Sequence, residues 1–105
     1  KVNIIKNFEE FADKHISLPK GNEEVLKMVV SYLVQQKSYA PALSYQEQLV
    51  RSDPDNVDEH INLSVIYKAL GKLDEAAEQA RIVVKLDPSK LDQTKQFLQS
   101  IGRSL

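Results

Sequence analysis

The dipeptide Asp-Pro occurs twice, at Asp53–Pro54 and Asp87–Pro88, and the two prolines stand 34 residues apart. Stepping along the chain by that interval pairs Ala42 with Ala76, Val50 with Val84, Leu33 with Tyr67 and Val29 with Leu63. One further step reaches Phe97 from Leu63 and Ile101 from Tyr67. A repeat of this length holds two short helices and a turn, and one such unit cannot bury its own apolar face. Units of this kind stack on their neighbours, so the period predicts an all-α solenoid of antiparallel helix pairs.

Local signals agree. Apolar residues recur at helical spacing in six segments. They are Ile4, Ile5, Phe8, Phe11 and Ala12; Leu26, Val29, Val30 and Leu33; Ala42, Leu43, Leu49 and Val50; Ile61, Leu63, Ile66, Tyr67 and Leu70; Ala76, Ala77, Ala80, Val83 and Val84; and Leu91, Phe97, Leu98 and Ile101. No stretch alternates like a strand. Gly21 and Gly71 fall in the breaks, and Pro19, Pro54 and Pro88 follow the expected helix ends, where a ring without an N–H cannot continue the helix. Asn56 is placed to cap a helix, and Glu59 three residues later predicts a capping box. Asp74 and Glu75 favour a helix start through the dipole. Small Ala42 and Ala76 let paired helices approach closely.

The 34-residue step divides the chain into residues 1–22, an N-terminal helix (roughly Val2 to His15) and loop; a first repeat, 23–56; a second repeat, 57–90; and a C-terminal capping helix, 91–105. Residues 1–22 read either as a cap or as the end of a degenerate upstream repeat. Gln93, Lys95, Gln96 and Gln99 would give the last helix the polar outer face that closes a stack.

Here the residues carry a resemblance. The chain resembles the tetratricopeptide repeat family through Leu63, Ser64, Tyr67, Gly71, Ala76, Ala80 and Pro88, and more loosely through Leu26, Val29, Val30, Leu33, Ala42, Gln46 and Pro54. It departs from the family pattern at His60, which stands for a Trp or Leu, and at Gln46 and Ala80, which stand for an aromatic. The resemblance implies a right-handed superhelix and a non-catalytic role in binding other proteins. In that family the first helix of each repeat lines a concave groove that grips a peptide or helix. Carried over by phase, the groove would present Lys27, Met28, Ser31, Val34 and Gln35, then Asp58, Ile61, Asn62, Val65 and Lys68, then Lys95, Gln99 and Arg103. Some members clamp a chaperone's terminal carboxylate with Lys, Asn and Arg. Lys27 and Asn62 fall at two of those places, but Ser31, Asp92 and Gln96 take the others, and Asp92 would repel a carboxylate.

Chemistry is sparse. The chain has no Cys, which excludes disulfides, thiolate catalysis and Cys-based zinc sites. His15 and His60, the only histidines, fall on different helices, so His60 reads as interhelical packing and His15 as a surface residue. The Glu and Asp runs read as solvated faces, and no Gly-rich phosphate loop is present. The expectation is no enzyme activity and no cofactor. A net charge of −1 gives no basic excess for nucleic acid. The longest apolar runs, Met28–Val30 and Ile82–Val84, are too short for membrane insertion. The chain begins at Lys1 and reads as a soluble piece of a longer protein, with the compartment left open. Two other readings fit the residues: a spacer that self-associates through Phe97, Leu98 and Ile101, and an accessory domain of a larger enzyme or membrane protein.

Overall fold

Three turns share one backbone solution. Lys37, Gly71 and Gly102 adopt positive φ values of 58°, 76° and 71° just beyond a helix end. In each case the following amide returns to the helix: Ser38 N–H donates to Leu33 O at 2.8 Å, Lys72 N–H to Tyr67 O at 2.9 Å, and Arg103 N–H to Leu98 O at 2.8 Å. This is the Schellman closure, which satisfies the last carbonyls and reverses the chain in few residues.

The computed structural model describes residues 23–105, all-α among those residues. Helix α1 spans Glu23–Gln35, α2 Tyr39–Ser52, α3 Val57–Ala69, α4 Leu73–Leu86 and α5 Leu91–Ser100, with a 3₁₀ turn at Pro88–Lys90 before α5. The bounds of α1 and α3, and those of α2 and α4, differ by the same 34 residues as the two prolines. The expected helix near the N-terminus, with His15, Pro19 and Gly21, lies outside the described residues.

The second kind of break lies between pairs. Asp53 and Asp87 close α2 and α4 with φ of −145° and −141°, non-helical geometry that the following proline favours. Asp87 then caps the 3₁₀ turn. Its Oδ1 accepts from Ser89 Oγ at 2.6 Å and Ser89 N–H at 3.1 Å, which lowers its carboxyl pKa. At α3 the Asn56 side chain accepts from Glu59 N–H at 3.4 Å. The expected capping box is thus half formed, because the Glu59 carboxylate points inward and the Asn56 amide instead donates to Asp53 O.

Two apolar clusters hold the helices. The first joins Leu26, Val29, Val30 and Leu33 of α1 to Ala42, Tyr45 and Leu49 of α2 and Ile66 of α3. The second joins Ala76, Ala77 and Ala80 of α4 to Leu98 and to Ile101, just past the end of α5, with Tyr67 and Phe97 packed alongside. Ala42 and Ala76 are fully buried, as expected of residues at a close helix approach. The self-association reading needed Leu98 and Ile101 on the surface. They are 1% and 6% exposed, because the chain's own α4 covers them.

His60 stitches one junction. Its Nε2 lies 2.6 Å from the Pro54 carbonyl, so that nitrogen must donate. The Gln79 side-chain amide lies 2.6 Å from Nδ1. His60 therefore ties α3 both to the turn before it and to α4, the interhelical role expected for it.

Candidate functional site

Two clefts open on one side of the helix stack, and they are the same place in successive units. The first, about 290 Å³, is lined by Lys27, Val30 and Ser31 of α1, Gln46 and Leu49 of α2, Asn56, and Asp58, Glu59 and Asn62 of α3. Advancing those positions by 34 residues gives Ile61, Ser64, Val65, Ala80, Val83, Lys90, Asp92, Gln93 and Gln96. Seven of these nine, with Thr94 and Phe97, line the second cleft, of about 90 Å³. The backbone supplies the same hollow twice. The side chains make the first polar and the second mostly apolar.

The first cleft is built around Glu59, only 4% exposed. Gln46 is fully buried, and its Nε2 donates to Glu59 O at 2.9 Å and to Glu59 Oε1 at 3.0 Å. Asn62 Nδ2 donates to the same Oε1 at 3.4 Å. Lys27 Nζ lies 3.8 Å from Glu59 Oε2 and 3.4 Å from Glu24 Oε1. Its pKa is raised, first by the hydrogen bond to Glu24 and that carboxylate's charge, then by Glu59 and Asp53. A buried carboxylate without such donors would be costly, and Gln46 and Asn62 supply them.

Of the residues that sequence phase places on the groove, Lys27, Ser31, Asp58 and Asn62 meet in the first cleft, and Ile61 and Val65 in the second. Met28 and Gln35 stand with Glu24, Lys27, Ser31 and Tyr32 on the open face of α1, where Met28 is 71% exposed. Val34 packs against the first core cluster. Lys68 Nζ reaches across to α5, donating to Ser100 Oγ at 3.2 Å and lying 5.6 Å from the Phe97 ring centre. Lys95 and Gln99 are exposed on α5 and line neither cleft. Arg103 turns to the start of α4, where Nε donates to Asp74 Oδ1 at 3.0 Å.

The Gln46–Glu59 pair escaped the sequence reading. Gln46 stood where an aromatic was expected, and Glu59 matched a capping motif. The one available signal was a polar residue at a buried phase of α2, with a candidate partner 13 residues on.

Among the described residues no group of three or more His, Cys, Asp or Glu is placed to hold a metal, and no helix is long and apolar enough to cross a membrane. Residues 60–90 match the family model described as tetratricopeptide repeat. No curated protein matches the chain.

Proposed function

Because the chain carries a tetratricopeptide repeat at residues 60–90, we propose that it is a protein–protein interaction module that takes a peptide or helical segment of another protein along the two clefts. Repeats of this family generally mediate such binding. The observation that carries the reading is the pair of equivalent hollows, flanked by apolar side chains left in water. Met28 is 71% and Val65 44% exposed, and Ile61 and Phe97 line the second hollow half-buried. Most of the affinity would come from burying these groups, with polar neighbours setting register. The role is non-catalytic.

Met28→Asp with Val65→Asp tests this. Both side chains are exposed, so circular dichroism should match the parent chain. Proteins captured from a source lysate by the parent chain should be lost to the double variant. Equal capture by a folded double variant would remove the cleft-side reading.

A further inference from the structure

The two clefts share a backbone and differ in side chains, so the first has a chemistry of its own. Gln46 spends both amide hydrogens on Glu59, which fixes the amide's orientation, since the flipped form would set its oxygen against two acceptors. Its Oε1 is thereby left buried with no hydrogen-bond donor. Glu59 Oε2 makes no hydrogen bond, with only Lys27 Nζ nearby at 3.8 Å. Glu59 thus lines a 290 Å³ hollow with an Oε2 that lacks a donor, while Gln46 Oε1 is sealed from solvent behind it. Asp58 stands exposed in the same lining. Glu24 and Asp53 also lie close enough to act on Lys27, so with Glu59 one ammonium answers three carboxylates.

From these observations we infer that the cleft between α1 and α3 is a binding site for a basic side chain, arginine or lysine, whose N–H groups donate to Glu59 Oε2. Lys27 does not close the hollow. Its hydrogen bond is to Glu24, outside the lining, and its side chain is 43% exposed. The occupant forms a charge-assisted hydrogen bond to a largely buried carboxylate, the stronger class of such bonds. The second cleft is the internal contrast. There Ala80 stands for Gln46, Gln93 for Glu59 and Ile61 for Lys27, so a cation gains nothing. This deepens the interaction-module reading by naming the chemistry of the partner segment, and it rests on that reading only for the source of the side chain.

The test separates the two. N-acetyl-arginine methylamide and its uncharged citrulline counterpart are titrated into the ¹⁵N-labelled chain. The arginine compound should give saturable shifts at Lys27, Ser31, Asn62 and the Gln46 side-chain amide, weakening with added salt. The citrulline compound should leave these signals in place. Glu59→Gln should abolish the shifts. Should that variant fail to fold, Asp58→Asn, an exposed change, should weaken binding roughly two- to fivefold. Equal responses to the two compounds, shifts scattered elsewhere, or no shifts would overturn the basic-side-chain site. Failure here leaves the lysate capture unaffected, and failure there leaves this titration unaffected.

Discussion

At the scale of single residues, Lys37 and Gly71 occupy one structural position in two units. Both have left-handed backbone, which costs an L side chain roughly 1–2 kcal/mol and glycine almost nothing. A Cβ at Gly71 would meet nothing within 4 Å, so Gly71→Ala measures the backbone cost alone. It should destabilise the chain by about 1 kcal/mol, and Lys37→Gly should stabilise it by about 0.5 kcal/mol, the gain being trimmed by glycine's freer unfolded chain. Urea melts of both variants check the pair; a destabilising Lys37→Gly would contradict the shared geometry. Tyr67 gives a second reading at this scale. Its hydroxyl donates to Glu47 Oε2 at 3.1 Å, and burial, then the Glu47 charge and hydrogen bond, then Glu75, push its pKa from 10.0 to about 12. Between those values the unfolded chain has lost a proton that the folded chain keeps. The stability Tyr67 contributes is therefore whole below pH 10 and lost as pH rises through about 12. Phenolate absorbance should show a step near pH 12 that vanishes in Tyr67→Phe and falls only part-way in Glu47→Gln, since burial remains.

Among the elements, α5 is the informative one. It is the shortest of the five helices among the described residues, and its attachment is concentrated in Leu98, Ile101, Thr94 and the Lys68–Phe97–Ser100 contact. Leu98→Ala should cost about 2–5 kcal/mol and expose the Ala76–Ala80 face of α4. Thermal melts check the loss, and a variant of unchanged stability would place Leu98 outside the core. Legibility also differed by element. In α1 and α4 the apolar residues recur on one face, and the residues read from spacing are the ones buried, except Val84 of α4, which is half-buried. In α2 the spacing omitted Tyr45, which is 1% exposed. In α3 the pattern is blurred: Glu59, His60 and Ser64 lie inside while Val65 lies outside. Hydrogen bonds satisfy the buried polar groups there beside the apolar Leu63 and Ile66, and periodicity does not register hydrogen bonds. The phase of the repeat was legible because it needs only small and breaking residues in place. The cleft chemistry was not, because it depends on which polar atoms meet across two helices.

For the whole molecule, the radius of gyration of 14.0 Å exceeds the ~13 Å of a compact 100-residue domain, and the extents of 40 × 25 × 20 Å describe a short rod. In such a stack each unit touches mainly its neighbours, so stability is close to a sum over units and junctions. The junctions, however, are not alike. Glu59 is buried at the one junction where Gln46 awaits it, while the next junction sets Ala80 opposite the exposed Gln93. A tandem duplication of residues 57–90 would set the new copy of Glu59 opposite Ala80, where no amide would donate to its carboxylate. The chain therefore encodes the order of its units as well as their spacing, and a copied unit keeps its polar contact only if its donor is copied too.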